Sequence, residues 1–181
     1  LKGMQTTLLL TALAMFGGIV LGTLLALARI SSIKPLSFVA ASYINFFRSL
    51  PLILVIFWIY FLVPLVLGRP VGGFYSVLVA FTLFEAAYYA EIIRAGITSV
   101  RAGQFQAARA LGLSYGQSMR FVVLPQAFRA MIPILLTQGI ILFQDTSLVY
   151  VVGLKDFLVS AELIANRDQR LIEMFTFVAI V

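Results

Sequence analysis

The chain has 181 residues, of which 62% are hydrophobic and only 11% are charged, whereas a soluble domain is about 45–50% apolar and about 25% charged. This composition predicts one all-α integral membrane domain, residues 1–181, with no separate soluble module. Cysteine and histidine are absent, so disulfides, thiol chemistry and imidazole metal sites are excluded. The net charge is +6, and the basic residues lie in loops between apolar segments, which indicates a role in membrane orientation and not in nucleic-acid binding.

The first predicted span, residues 6–28, carries small residues at every fourth position: Ala14, Gly18, Gly22 and Ala26. This spacing puts them in one stripe, where a neighbouring helix can approach closely. A dedicated dimerisation motif is the weaker interpretation, because such stripes are common in membrane packing.

Four full spans and one partial span are predicted: 6–28, 49–67, 74–93, 127–152 and, incompletely, 174–181. A span needs about 20 residues, so we expect the fifth helix to be truncated. Residues 36–47, ahead of the second span, fit either a helix at the membrane interface or a continuation of that span. Pro51 is tolerable in the first turn of the second span, and residues 154–170 are predicted to be a polar loop.

The distribution of basic residues predicts the orientation. The first and third loops hold eight basic residues and the N-terminus and other loops hold five. Under the positive-inside rule, this split places residues 94–125 in the cytoplasm and the N-terminus in the periplasm.

The polar stretch 94–125 contains four arginines and no acidic residue. Residues 104–111 are rich in helix-forming alanine, and Gly112 follows where a C-cap glycine belongs. Ser114 and Gln117 then form a capping-box pattern. The stretch is predicted to be helix, glycine turn, helix, closed by Leu124-Pro125. Its first helix is too short to persist alone, so we expect it to pack on a partner, with Phe105 and Leu111 filling a cleft.

The pattern Gln106-Ala107-Ala108-x-x-x-Gly112, ending at Leu124-Pro125, resembles the EAA loop of the permease subunits of bacterial ABC importers. The stretches AEIIRAGITSV, LPQAFRAMIP and QDTSLVYVVGLKDF are similar to those of polar amino-acid permeases, and FEAAYYAEIIRAG and LFQDTSLVY look closest to the glutamate/aspartate permeases.

The resemblance implies a five-helix type I ABC importer permease core in the bacterial inner membrane. It implies a related second permease subunit, two ATPase subunits that bind ATP and Mg²⁺, and a periplasmic amino-acid-binding protein. This chain has no G-x-x-x-x-G-K-[ST] loop, so we expect it to hold no cofactor and to be no enzyme itself. The resemblance assigns ATPase coupling to Gln106, Ala107, Ala108, Leu111, Gly112, Leu124 and Pro125.

Gln106 departs from the family pattern, which usually has glutamate at this position. Glutamine keeps the hydrogen-bonding capacity and loses the charge. We therefore expect docking of this loop to rest on packing more than on an ion pair.

Ionisable groups within spans cost about 2.5–3.5 kcal/mol at the helix centre and are candidates for function. Glu85 lies in the third span and Asp145 in the fourth. The candidate substrate path comprises Glu85, Gln138, Gln144, Asp145, Thr146, Ser147 and, for a substrate carboxylate, Arg48. An equally weighted interpretation is that these groups pair and hold helices together. For Arg48, an anchor at the cytoplasmic start of the second span is the favoured interpretation.

Glu91 and Arg94 are three residues apart on one helix face and can pair, either as a plain ion pair or as a brace that orients the loop. Two other classes of protein fit the sequence less well. A secondary transporter or channel would need an inverted repeat or a chain of ion sites, and neither is evident. An intramembrane protease would need a histidine, a cysteine or a second aspartate within the spans. The chain has no histidine and no cysteine, and Asp145 is the only aspartate within a predicted span.

Overall fold

The computed structural model describes residues 2–180, and in this part of the chain the regular secondary structure is all helical, without strands. The α-helices are α1 (Lys2–Ile30), α2 (Lys34–Arg48), α3 (Leu52–Leu67), α4 (Gly73–Ser99), α5 (Ala102–Ala110), α6 (Tyr115–Ser118), α7 (Leu124–Asp145), α8 (Phe157–Asp168) and α9 (Leu171–Ile180). A π-helical turn, Met119–Val123, joins α6 to α7, and a 3-10 turn, Thr146–Val152, follows α7.

The predicted spans correspond to three long apolar helices, one broken pair and α9. Helices α1 and α4 are long enough to cross a membrane, and so is the continuous helical segment Tyr115–Val152. Helices α2 and α3 are long and apolar enough to cross a membrane only when taken together, and the two helices are bent by 104° at the break between them. The helical segment that contains the fourth predicted span therefore begins well before residue 127, where the sequence placed the start of the span.

Helix α4 lies at the centre and packs against α1, α2, α3 and α7. Its N-terminal half contributes Val77, Ala80, Phe81 and Phe84 to a hydrophobic group that we call cluster 1, together with Leu10 and Ala14 of α1. Its C-terminal half contributes Ala90 and Ile93 to cluster 2, together with Ala26, Ile44, Ala127 and Met131. The two clusters mark two depths along the bundle.

The stripe of small residues on α1 packs against α4, as the four-residue spacing predicts. Ala14, Gly18, Gly22 and Ala26 are all buried. A Cβ atom on Gly22 would lie 2.9 Å from the Ala86 carbonyl oxygen and 3.0 Å from the Ala90 nitrogen. The two backbones are therefore as close as a glycine allows, which maximises van der Waals contact where lipid offers no hydrophobic driving force.

The break between α2 and α3 answers the question left open for residues 36–47. They form a separate helix, α2, which packs on α1 and α4, and its Tyr43 hydroxyl donates to the Leu83 carbonyl oxygen at 2.8 Å. Pro51 lacks an N–H group and disfavours a helical Leu50, which favours an end of α2 before it. Pro51 instead adopts an extended conformation and becomes the N-cap of α3.

The prediction of a loop over residues 154–170 was wrong, because α8 occupies most of it. The Asp156 carboxylate accepts hydrogen bonds from the Leu158 and Val159 N–H groups, at 3.2 and 2.9 Å, and so caps the helix. At the other end, hydrogen bonds from Arg167 hold the pKa of Asp168 below its ordinary value. The signal for α8, an aspartate ahead of an apolar run, was present in the sequence.

The contact at Gly22 generates a stability prediction. In Gly22→Ala the new methyl group meets backbone atoms of α4, which cannot move aside as a side chain would. We expect the free energy of unfolding to fall by about 1–3 kcal/mol. The measurement is an SDS titration of the purified chain in detergent, followed by circular dichroism.

Gly139→Ala is the matched control. There the added Cβ would lie 3.5 Å from the Met15 sulfur, an ordinary contact, so helix propensity makes this variant as stable as the wild type or more so. Equal stability of the two variants would contradict the proposed tight contact between α1 and α4.

Candidate functional site

The polar stretch begins with α5, which ends in the glycine turn that the sequence predicts. Gly112 has a φ of 81°, in the left-handed region. Its N–H donates to the Arg109 carbonyl oxygen at 3.0 Å, and the Leu113 N–H donates to the Ala108 carbonyl oxygen at 3.2 Å. These two bonds form a Schellman motif, which satisfies the last carbonyl groups of α5.

The predicted capping box is also present. The Ser114 N–H donates to Gln117 Oε1 at 2.8 Å, and the Gln117 N–H donates to Ser114 Oγ at 3.3 Å. Helix, glycine turn and helix therefore follow one another as predicted. The second helix does not stop, however, and runs through the π turn into α7.

Leu124-Pro125 does not close the stretch, contrary to the sequence interpretation. Both residues lie at the start of α7 in a continuous helix. The preceding π turn changes the register, because the Leu124 N–H donates to the Met119 carbonyl oxygen five residues back. Pro125 has no N–H to donate, and the Gln126 side chain instead bonds the Val122 carbonyl oxygen at 3.0 Å. A wider turn with an added side-chain bond accommodates the proline without ending the helix.

One face of α5 is free and the other packs on its own chain. Gln106, Ala107 and Leu111 are exposed, and Leu111 exposes 83% of its surface. Ala108 is buried, at 3% exposure. Phe105 does not extend toward a partner as predicted, since its ring packs edge-on against Tyr115 with the centroids 5.6 Å apart. The aromatic pair holds α5 in place, which leaves Leu111 as the large apolar group presented outward.

Glu91 and Arg94 form the predicted ion pair near the C-terminal end of α4. Arg94 Nε donates to the two Glu91 carboxylate oxygens at 3.1 and 3.0 Å, and Nη2 also contacts Oε1. The side chains are partly buried. The pair lies on the helix that leads directly into α5.

Glu85 is fully buried and joins two spans. Gln138 Nε2 on α7 donates to its carboxylate oxygens at 3.0 and 3.3 Å. This contact agrees with the interpretation that intramembrane polar groups hold helices together. The arrangement gives a substrate no direct access to Glu85.

The polar groups around Asp145 lie where α7 passes into the 3-10 turn. Gln144 is exposed, Asp145 and Ser147 are half-buried, and Thr146 is buried. The hydroxyl groups of Thr146 and Ser147 donate to carbonyl oxygens three residues back. Gln144, Thr146 and Ser147 line a cavity of about 200 Å³. Two further polar residues, Thr7 and Asp156, also line this cavity, and neither was predicted from the sequence.

Arg48 is not at the cytoplasmic start of a span, where the sequence placed it. It is the last residue of α2, immediately before the break, and its guanidinium carbon lies 5.5 Å from the centroid of the Tyr88 ring on α4. Tyr88 is well inside α4. Without Arg48, the loop charges still split seven to five in the same direction.

Residues 18–181 match the binding-protein-dependent transport system inner membrane component family, which is most of the chain. The chain belongs to this family. It is therefore a permease subunit of a binding-protein-dependent ABC transporter, and the predicted type I permease fold is confirmed.

Two curated relatives of the permease are similar over most of its length. The glutamate/aspartate import permease protein GltK of Escherichia coli O6:H1 is 50% identical over 188 residues, covering 100% of this chain and 84% of the relative. The arginine transport system permease protein ArtQ of Bacillus subtilis (strain 168) is 39% identical over 156 residues, covering 86% of this chain and 71% of the relative.

Solved structures support the same architecture. A crystal structure of an amino acid ABC transporter with histidines superposes with a TM-score of 0.89 at 36% identity, over 99% of the permease and 83% of that chain. An inward-facing structure of the MetNI methionine ABC transporter superposes with a TM-score of 0.76 at 24% identity, over 99% and 86%, which is a likeness of fold alone.

The contact between Glu85 and Gln138 yields a prediction for this permease. In Gln138→Leu a buried carboxylate loses its hydrogen-bond donor, and we expect the free energy of unfolding to fall by about 1–3 kcal/mol. The control is Thr137→Leu, since Thr137 is exposed and its hydroxyl only donates to the Pro133 carbonyl oxygen. Denaturant titration in detergent compares them, and equal stabilities would contradict a structural role for the pair.

Proposed function

We propose that this permease subunit imports acidic amino acids, glutamate and aspartate, and that ATP hydrolysis by a partner ATPase drives the transport. The observation that carries the proposal is the 50% identity to a glutamate/aspartate import permease over the whole chain. The free face of α5 gives the ATPase a place to dock. A secondary transporter or channel would leave this patterned surface without a role.

The proposed coupling surface consists of Gln106, Ala107, Leu111 and the Gly112 turn. It is an exposed helix held rigidly by a Schellman motif, a capping box and the aromatic pair of Phe105 and Tyr115. Because Gln106 is uncharged, contact area and the fit of Leu111 into a groove supply the affinity. Ala108 supports this surface from within the permease, and Leu124 and Pro125 begin the helix α7 that follows it.

The proposed assembly has two permease subunits, this chain and a related one, around a translocation path. Two ATPase subunits, which bind ATP and Mg²⁺, dock on the cytoplasmic side, and a periplasmic amino-acid-binding protein delivers substrate. The excess of arginine and lysine in the first and third loops supports a cytoplasmic position for residues 94–125 and a periplasmic N-terminus, in the inner membrane.

The proposed mechanism requires that α4, α5 and α7 transmit a displacement without bending. ATP-driven closure of the ATPases displaces α5, and the displacement reaches α4 and α7, on either side of it in the chain. The Glu91–Arg94 pair braces the end of α4 against this load. Gln144, Asp145, Thr146 and Ser147 lie at the far end of α7, where movement of the helix would change their exposure to a substrate.

The transport proposal has a direct test. In proteoliposomes that contain the assembled transporter, glutamate or aspartate uptake should require both ATP and the loaded binding protein. The measurement is accumulation of radiolabelled amino acid, with a non-hydrolysable ATP analogue as the control. Uptake driven by an ion gradient without ATP would favour a secondary transporter instead.

The docking proposal is tested by Gly112→Val. No atom lies within 4 Å of a Cβ added at Gly112, so the effect comes from a φ of 81°, which a β-branched residue avoids. We expect the variant to insert normally, while both the co-purified ATPase and amino-acid uptake fall severalfold. Gly116→Val is the matched control, since Gly116 also has open space but ordinary helical backbone.

Leu111→Ser tests the contact separately from the turn. Leu111 is almost fully exposed, so its replacement leaves the fold of the permease unchanged and removes only an outward apolar contact. We expect weaker ATPase binding at unchanged thermal stability. Full ATPase co-purification with both Gly112→Val and Leu111→Ser would refute docking at this surface.

A further inference from the structure

Arg48 lies at an unusual depth for an exposed arginine. Four residues before it, Ile44 belongs to cluster 2, while its neighbours Phe47 and Leu50 pack against cluster 1. Arg48 therefore lies at the level where the two clusters meet. This level is inside the bundle and not at the membrane edge.

The contact with Tyr88 places the guanidinium group independently. Tyr88 lies six residues before Arg94, where the polar stretch begins, and fifteen residues after Gly73, where α4 begins. At 1.5 Å per residue, these separations are about 9 Å and about 22 Å along the helix axis. The hydrocarbon layer is about 30 Å thick. The charge of Arg48 is thus held at a depth that lipid chains occupy around the outside of the transporter.

The surroundings of Arg48 do not neutralise its charge. Within residues 2–180, no carboxylate oxygen lies within 4 Å of it. The nearby carboxylate of Glu91 is already bound by Arg94. Intramembrane arginines face a water-filled cavity or a polar partner and avoid lipid. Arg48 is exposed on the isolated permease, so in the assembled transporter its side must face the aqueous path or the second permease.

The local backbone also fits a path-lining position. Arg48 precedes the unwound residues 49–51, and the helices on either side are bent by 104°. Non-helical backbone at membrane depth is tolerated where it is buried in protein or lines a cavity. Broken helices of this kind carry the substrate contacts in many transporters.

We propose that Arg48, positioned by the ring of Tyr88, binds the carboxylate of the amino acid as it crosses the membrane. This proposal rests on the transport function proposed above. The Tyr88 ring covers one face of the guanidinium plane. Among residues 2–180, no acceptor is bonded to the N–H groups at the edge of the plane, and their fork matches the two oxygens of a carboxylate. Arg48 thereby supplies the cation that a negatively charged substrate needs in a path with buried carboxylates.

The first experiment measures transport by variants in proteoliposomes that contain the whole transporter. Glutamate uptake and ATP hydrolysis are measured in the same sample and expressed as amino acid moved per ATP. Loss of a charge-assisted bond predicts about a tenfold fall or more in this ratio for Arg48→Gln, with Arg48→Lys intermediate because it keeps the charge without the fork.

Arg29→Gln is the matched control, since this substitution removes the same charge from the last turn of α1. The ratio should stay at the wild-type value there. An unchanged ratio in Arg48→Gln, or an equal fall in Arg29→Gln, would overturn the proposal and restore the role of a membrane anchor. If the wild type shows no ATP-dependent uptake, the transport function fails instead, whatever Arg48 does.

The second experiment needs no variant. The wild-type transporter is treated with phenylglyoxal, and modification of Arg48 and Arg29 is followed by mass spectrometry. Arg48 should react, because it faces water, and millimolar glutamate should slow its modification without affecting Arg29. Protection by glutamine as well would identify the α-carboxylate as the bound group, and protection by glutamate alone would identify the side-chain carboxylate. Absence of protection by either amino acid would overturn the proposal.

Discussion

The fold depends on the close packing of α1 against α4. A membrane bundle gains little from burying apolar groups, since lipid is as apolar as leucine, so contact distance decides which helices associate. The stripe from Ala14 to Ala26 brings the backbones together, and Gly22 is its narrowest point. With α1 fixed on one side, α4 can hold α2, α3 and α7 on its others. The helix that leads into α5 is therefore the best-supported helix among the described residues.

Two buried carboxylates of this bundle have specific hydrogen-bond partners, and this separates them from groups that could contact a substrate. Glu85 is enclosed and bonded to Gln138, and Asp156 is buried with its oxygens on two N–H groups of α8. Arg48 differs from both, because it is exposed and, among the described residues, it packs on an aromatic face and forms no ion pair. Burial with a partner fits a structural role, whereas exposure at depth fits contact with water or substrate.

The sequence predicts well those features that are encoded within a few residues. The stripe on α1, the left-handed Gly112 and the Ser114–Gln117 box each follow from local spacing and were confirmed. It predicted poorly where the outcome depends on register or tertiary position. Leu124-Pro125 resembles a helix end, but the preceding π turn is one residue wider than an α-helical turn, and this wider turn lets the helix continue through the proline. The depth of Arg48 cannot be seen locally, because it depends on how α2 folds back along α4.

The continuity from α6 to α7 has a mechanical consequence for the transporter. If α5 is displaced as proposed, a flexible loop between α6 and the fourth span would bend under load and lose the displacement. The chain instead continues as a helical segment of 38 residues, about 57 Å long, and Gln126 on it bonds Gln104 of α5 at 3.4 Å. Farther along, Met131 occupies the space left by Gly96 of α4, so α4 and α7 contact each other closely just above α5. Between Tyr115 and Asp145, the π turn is the one place where the hydrogen-bond register departs from an α-helix, and the 3-10 turn Thr146–Val152 follows at the far end of the segment. Adjustment between α5 and the end of α7 is therefore expected at Met119–Val123, while Leu124–Asp145 moves as a rod.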